Sequence, residues 1–443
     1  MPGSDRRPPL PPGPYLVVGL ARSGTAVAGA LAARGERVIA VDRGAPAYPP
    51  LPSEVEVRLQ DDGLSALEEA GAVVPSPGVP ASAPVLAEAV RRGIPVLGEL
   101  ECAWRLVPVP VLAVTGTNGK TTTVELLGHL LRSAGHDAAV VGNVGTPLAA
   151  LAQPGATLPE IAVCEVSSFQ LEWAPAFAPE TGVLLNLERD HLDRHGTVEE
   201  YHRVKLSLFA HQRAADVAVV PAGLDPSRVP GDGRRVTFGP EPGADLAIGA
   251  DGLSWRGAGL IAADRVGITG PHNLANAAAA AAAALAIGVD AAAVAAGLAT
   301  FAGVPHRLEE VAERGGVLWV NDSKATNVAA ASVALRSFPD RPVHVILGGL
   351  GKGESYLPLR EPLAAYARRA YLIGEEAGSI AAAIDDVIAV RQCGTLAAAV
   401  SAAAAEAEPG DVVLLAPACA SQDQFRDFEE RGQVFAEMAR KGV

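Results

Sequence analysis

The stretch Val111 to Val124, VLAVTGTNGKTTTV, constrains this chain more than any other. Val111-Leu112-Ala113-Val114 is a short β-branched apolar run of the kind that forms a buried strand. It breaks into Thr115-Gly116-Thr117-Asn118-Gly119-Lys120-Thr121-Thr122, and a helical pattern starts at Thr123-Val124-Glu125-Leu126-Leu127. Strand, glycine loop and helix start together make a phosphate cradle: the glycines let backbone N–H groups close round an anion, and the helix N-terminus adds partial positive charge. Lys120 is spaced to reach β- and γ-phosphates, and the Thr121 hydroxyl to ligate Mg²⁺. Val114 stands where the common G-x-x-x-x-G-K-[ST] pattern has its first Gly, so the loop is a variant. The stretch predicts a nucleoside triphosphate site.

A chain of 443 residues has room for about three domains, and 49% hydrophobic residues allow each a core. The 36 basic and 50 acidic residues give a net charge of -14 without a basic run, which argues against nucleic acid as a partner. Cys102, Cys164, Cys393 and Cys419 are scattered, as in a reducing compartment, and make neither a disulfide framework nor a zinc site. MPGSDRRPPLPPGP, residues 1–14, has no apolar core and reads as a flexible Pro-rich leader, not a signal peptide. Ala275 to Ala296 could pass for a membrane span, but Asn276 and Asp290 bracket its alanine run, so a packed soluble helix is expected. The expectation is a cytoplasmic protein with no membrane contact.

Taken in order, Tyr15–Leu20 reads as a strand, Gly19-Leu20-Ala21-Arg22-Ser23-Gly24 as a glycine turn into a helix, and Val38–Val41 as a second strand ending at Asp42-Arg43. This is the outline of a Rossmann-like nucleotide site with an incomplete glycine pattern. Ser23 and the Gly24 backbone would meet a phosphate there, and Asp42 and Arg43 a base or sugar. Val73-Val74-Pro75-Ser76-Pro77-Gly78 is a strand-end loop, and Pro108 and Pro110 mark a boundary near residue 107. In the second segment Val140–Val141 ends at Asn143, and the buried-strand pattern Ile161–Val163 ends at Glu165, placed to hold Mg²⁺ beside the phosphate loop. His191 lies in the polar loop Glu188–Gly196, and Lys205 on the next helix. The third segment opens after Gly303. Its strands end in Asn321-Asp322-Ser323-Lys324-Ala325-Thr326-Asn327, in Gly348–Gly353 with Lys352, and in Ala416–Ser421. Polar residues at the carboxyl ends of parallel strands are where open α/β sheets bind ligands. The fold class expected is α/β in three domains: a Rossmann-like domain at 1–107, a central P-loop ATPase-type domain at 108–303, and a Rossmann-like domain at 304–443.

These motifs together resemble the Mur ligase superfamily from Gly19 to Gly432. The resemblance is carried by TGTNGKTT at 115–122, EVSSFQLE at 165–172, DHLDRH at 190–195, GPHNLANA at 270–277, PHR at 305–307, NDSKATN at 321–327 and the ACAS…DQF…RG stretch at 418–432. NDSKATN and ACAS…DQF mark the branch that adds D-glutamate. The resemblance implies a monomeric, ATP-dependent ligase joining D-glutamate to UDP-N-acetylmuramoyl-L-alanine through an acyl phosphate. It implies that Gly116, Thr117, Asn118, Gly119, Lys120, Thr121 and Thr122 hold the ATP phosphates, with Asn276 on adenine, Arg307 on phosphate and Asp322 on ribose. One Mg²⁺ would sit on Thr121 and Glu165, and a second on His191 and an N6-carboxylated Lys205, making Lys120, His191 and Lys205 catalytic. Ser23, Gly24, Asp42, Arg43, Ser76, Gly78 and Asn143 would take the UDP-substrate, and Lys324, Thr326, Lys352, Ser421 and Phe428 the D-glutamate. Ligands spread over three domains imply closure of the third onto the second. Sequence does not distinguish D- from L-glutamate, and a nucleotide-binding module without ligase activity is the reading from a different class.

Overall fold

The computed structural model describes residues 7–46, 51–268, 270–351 and 354–442, with the side chain of Asp193 left aside. It contains three sheets, each mainly parallel, and so three α/β domains. The chain divides into two compact units, Met1–Ala302 with the first two sheets and Gly303–Val443 with the third.

The first sheet comprises β1 (Tyr15–Val18), β2 (Val38–Asp42), β3 (Val55–Leu59) and β4 (Ala72–Pro75), in the order β3-β2-β1-β4, all parallel. β1 and β4 are buried throughout, as continuous apolar runs covered on both faces must be. The helix Arg22–Ala32 follows β1 so closely that a Cβ on Gly24 would overlap the Gly19 carbonyl and the Ser76 hydroxyl.

The second sheet has nine strands: β5 (Val111–Thr115), β6 (Ala138–Gly142), β7 (Ile161–Glu165), β8 (Thr181–Leu184), β9 (Val217–Pro221), β10 (Arg234–Gly239), β11 (Leu246–Gly249), β12 (Gly252–Trp255) and β13 (Ala258–Ala262). They run in the order β13-β12-β11-β10-β9-β8-β5-β7-β6. β5 lies between β7 and β8, all parallel, so the phosphate loop leaves the sheet where the chain order switches direction, the usual ligand crevice. The antiparallel meander β11–β13 at the far edge has no counterpart in the sequence reading. The alanine run forms two helices, Pro271–Ala286 and Ala291–Thr300, parted by Gly288 at φ +97°. Ala277 to Ala284 are fully buried, and among the described residues no helix is long and apolar enough to cross a membrane.

One hydrophobic core joins the first two sheets, with Trp104 meeting Phe177 edge to face at 5.6 Å. The leader departs from expectation over its described part. Arg7 donates to the Val109 carbonyl at 2.6 Å beneath a cation–π contact with Trp104, and Arg105 donates to the Pro9 carbonyl at 2.8 Å. The leader is therefore tied to the body from both sides, its Arg7 donating outward to Val109 and its Pro9 carbonyl accepting from Arg105.

The third sheet comprises β14 (Glu309–Arg314), β15 (Val317–Asn321), β16 (Val343–Gly348), β17 (Ala367–Ile373), β18 (Val390–Gly394) and β19 (Val412–Leu415). Its order is β14-β15-β19-β16-β17-β18, with only β14 antiparallel.

Candidate active site

The phosphate loop is built by conformation that only glycine tolerates well. Gly119 lies at φ +83° as the residue before the helix Lys120–Ser133, which starts three residues earlier than its apolar pattern. A Cβ on Gly119 would collide with Asn276, whose buried side chain comes from the helix Pro271–Ala286. Asn118 N–H donates to Asn186 Oδ1 (2.9 Å) and its side-chain amide to Glu188 Oε2 (2.9 Å), while Thr117 Oγ1 accepts from Glu188 N–H (3.0 Å). The segment after β8 thus holds the loop open. Lys120 Nζ donates to the Gly116 and Thr117 carbonyls at 2.9 and 2.8 Å, within the cradle it is meant to serve.

Glu165 ends β7 with its residue almost wholly buried. The Thr121 hydroxyl donates to Glu165 Oε2 at 2.8 Å, and Asn143 Nδ2 to Oε1 at 2.9 Å. A hydroxyl and a carboxylate side by side are the hard oxygen donors that Mg²⁺ takes, with phosphate oxygens and water completing its shell. Among the described residues no group of three or more His, Cys, Asp or Glu could hold a metal, so an ion here would lean on mixed donors such as this hydroxyl and carboxylate. Lys205, on the helix Val198–Leu206, is fully buried, with Nζ donating to the Gly116 carbonyl at 2.8 Å and lying 4.7 Å over the Tyr201 ring. Burial, then the Lys120 charge, push its ammonium down to about 7, against the pull of Asp190. The neutral amine is the form that reacts with CO₂, and burial favours it here. His191, at φ +49°, packs on Phe169 and on the edge of the same Tyr201 ring, with Nε2 3.4 Å from Asp190 Oδ2. The structure thereby brings His191, Lys205, Glu165 and the loop to one end of the second sheet.

Two neighbours were not assigned roles from sequence. Arg194 stacks on Phe169 at 4.1 Å, pairs with Glu172 at 2.6 Å, and donates to the Pro77 and Val79 carbonyls at 2.9 and 3.1 Å. His195 bridges Ser168 Oγ (3.0 Å) and Glu172 (3.3 Å), and burial lowers its pKa. Both lie in DHLDRH, and the density of polar residues there was the signal available.

On the first sheet, Ser23 lies in the first turn of Arg22–Ala32, whose N-terminus carries no side-chain cap, beside Gly24. Asp42 spends its carboxylate on the chain itself, Oδ2 accepting from Leu20 N–H and Oδ1 from Gly44 N–H, both at 2.8 Å, and so fixes the glycine turn. Ser76 Oγ donates to the Gly19 carbonyl at 2.7 Å; Arg43 and Gly78 are exposed.

In the second unit, Asp322 is buried at the end of β15, accepting from Leu308 N–H at 3.2 Å; burial pushes its carboxyl up to about 6 against the charge of Arg307. Lys324 Nζ lies 5.9 Å over the Phe428 ring. Arg431 is buried with four hydrogen bonds to Ser323, Cys419 and Ala420, a cation that ties the β15 and β19 loops together. Ser421 is 1% exposed, and its hydroxyl has no partner among the described residues. Thr326 is partly buried in the same β15 loop; Lys352 lies outside the described residues.

Three family models match the chain: "Mur ligase MurD-like, N-terminal domain" over residues 14–98, "Mur ligase middle domain" over 114–284 and "Mur ligase, glutamate ligase domain" over 306–419. The chain belongs to the Mur ligase family. Among curated relatives it is 42% identical over 436 residues to the UDP-N-acetylmuramoylalanine–D-glutamate ligase of Geobacter metallireducens, covering 95% of each chain. It is 41% identical over 445 residues to the enzyme of that name from Pelotomaculum thermopropionicum, covering 96% of each. Its fold is like that of the UDP-N-acetylmuramate-alanine ligase MurC of Thermotoga maritima, with a TM-score of 0.56 at 17% identity over 97% of this chain and 100% of that one. The MurF ligase of the same organism, solved in complex with ADP, gives a TM-score of 0.54 at 20% identity over 98% and 96%.

Proposed function

We propose that the chain joins D-glutamate to UDP-N-acetylmuramoyl-L-alanine with conversion of ATP to ADP and phosphate, in cytoplasmic peptidoglycan precursor synthesis. The observation that carries this reading is the convergence of the variant phosphate loop, buried Glu165 and buried Lys205 at one sheet end, in a chain about two-fifths identical throughout to ligases of that name.

The muramoyl-alanine carboxylate attacks the γ-phosphorus of ATP, the bond to the bridging oxygen breaks, and ADP leaves. The D-glutamate amine then attacks the acyl carbon, phosphate departs with one former carboxylate oxygen, and the amine loses a proton. Residues Gly116 to Thr122 cradle the phosphates, and Lys120 stays protonated to offset charge gathering on the transferred group. Mg²⁺ supplies further neutralisation of that charge when bound. Thr121 and Glu165 would hold one ion; His191 and Lys205, N6-carboxylated, would hold a second. Asn276 would face adenine, Arg307 phosphate and Asp322 ribose. Ser23, Gly24, Asp42, Arg43, Ser76 and Gly78 would hold the UDP end, with Asp42 acting through the turn it fixes, and Asn143 the muramoyl end. The Ser421 hydroxyl, buried with no partner among the described residues, suits a ligand oxygen, and with Lys324, Thr326, Lys352 and Phe428 it would receive D-glutamate. Holding three anionic partners together can contribute about 7–11 kcal/mol.

The acyl phosphate is tested with substrate whose alanyl carboxylate carries ¹⁸O. One labelled oxygen should appear in each phosphate released; unlabelled phosphate throughout would exclude that route.

A further inference from the structure

Glu99 opens the helix Glu99–Leu106 and is 2% exposed, yet among the described residues no cation is hydrogen-bonded to it. Its one hydrogen bond among the described residues comes from Gln170 Nε2 to Oε1 at 2.7 Å. Gln170 is equally buried and belongs to the short helix Ser168–Leu171. Its amide oxygen accepts from Ser167 N–H at 2.9 Å and from the Ser167 hydroxyl at 3.1 Å, closing a capping box with Gln170 N–H on Ser167 Oγ at 3.3 Å. Ser167 lies two residues beyond Glu165, and the intervening Val166 N–H is held by the Val114 carbonyl at 2.9 Å.

An amide side chain has two faces of opposite polarity. Ser167 N–H can only donate, so Gln170 must present oxygen to it, and its NH₂ must then point at an acceptor. Glu99 is that acceptor. Glu101, two residues on in the same helix, is already taken by Arg105 at 2.7 Å and by Ala176 N–H at 3.2 Å. Without an acceptor at position 99 the amide is free to flip, and its NH₂ would meet Ser167 N–H donor against donor. Burial pushes the Glu99 carboxyl up to about 7, and either protonation state keeps an acceptor oxygen. The adjoining backbone is fixed as well: Gly98 N–H donates to the Trp173 carbonyl at 2.6 Å, so position 99 cannot drift from Gln170.

We infer that Glu99 is a positioning residue for the metal-binding end of β7: by orienting the Gln170 amide it locks the capping box that aims Glu165 at the Thr121 hydroxyl. This rests on the reading of Glu165 as a Mg²⁺ ligand. Its chemistry is that of an outer partner that never touches the ion but fixes the group that does.

The test is Mn²⁺ binding to the full chain with a non-hydrolysable ATP analogue, followed by electron paramagnetic resonance, with urea unfolding midpoints recorded in parallel. Glu165→Ala should weaken Mn²⁺ binding, which checks the underlying reading. Glu99→Leu should weaken it about tenfold, with the KM for D-glutamate unmoved, and Glu99→Gln, which keeps an acceptor oxygen, should restore it. Gln170→Glu alone should weaken binding, and Glu99→Gln with Gln170→Glu should recover it, because the donor and acceptor have exchanged places. That pair keeps the question open to decision should Glu99→Leu fail to fold. Unchanged Mn²⁺ affinity in Glu99→Leu, or no recovery in the exchanged pair, overturns the inference. Unchanged affinity in Glu165→Ala overturns the ligand assignment itself and, with it, the route through Glu165.

Discussion

Replacing Gly119 by Ala tests the phosphate loop at one atom. The residue sits at φ +83° and ψ -7°, a conformation that costs a residue with a Cβ about 1–2 kcal/mol. The added carbon would lie 2.9 Å from Asn276 Cγ and closer still to its Oδ1, against about 3.5–4.0 Å for carbon atoms at rest. Asn276 is 7% exposed on a helix whose next eight residues are fully buried, so the loop yields and not the helix. The shift required is on the order of an ångström, and a displacement of that size in a reacting group costs roughly 100-fold. The kcat/KM for ATP should fall by about that factor, and calorimetry should find the ATP analogue correspondingly weaker. Gly135→Ala is the control, because Gly135 has the same left-handed φ, +90°, with nothing within 4 Å of its Cβ. It should carry the backbone strain and leave nucleotide binding alone. Nucleotide affinity equal to wild type in Gly119→Ala would refute the steric argument.

Ser421→Ala removes a buried hydroxyl that lacks a partner among the described residues, so the urea midpoint should hold or rise by up to about 1 kcal/mol of stability while the KM for D-glutamate increases. A fall in stability with unchanged KM would contradict that assignment. Lys205→Ala should lose activity and regain part of it with added short-chain carboxylates, and wild-type protein in ¹³C-bicarbonate should give a carbamate resonance that the variant lacks. Asp322 has its folded pKa raised from 3.8 to about 6, so the folded state holds a proton that the unfolded chain gives up in between. Stability from this residue is therefore full below about pH 4 and lost as pH rises through about 6. Asp322→Asn should flatten that dependence in urea unfolding at pH 4.5 and 7 while weakening ATP.

The strands that matter most were legible because their chemistry is local. Val111–Thr115 and Ile161–Glu165 are buried on both faces, so continuous apolar runs announce them, and a lone carboxylate at the end of such a run stands out as Glu165 did. The meander at 246–262 escaped because its strands are four or five residues long, bounded by Gly and half exposed, with no periodicity to read. Proline content alone pointed to a flexible leader, whereas the partners that hold it, the Val109 carbonyl for Arg7 and Arg105 for the Pro9 carbonyl, lie about a hundred residues away. Asp42 illustrates a different limit: an acidic residue after a second strand reads as a ligand for a sugar, and its own backbone takes both oxygens. The pairing of Glu99 with Gln170 spans 71 residues and is a product of tertiary packing, outside the reach of any motif.

The most direct test of the function is phosphate release from ATP with UDP-N-acetylmuramoyl-L-alanine, comparing D-glutamate, L-glutamate and L-alanine as acceptors. The account predicts release with D-glutamate alone, matched by one amide product per phosphate. Release with L-glutamate instead, or no release with any acceptor, would contradict it.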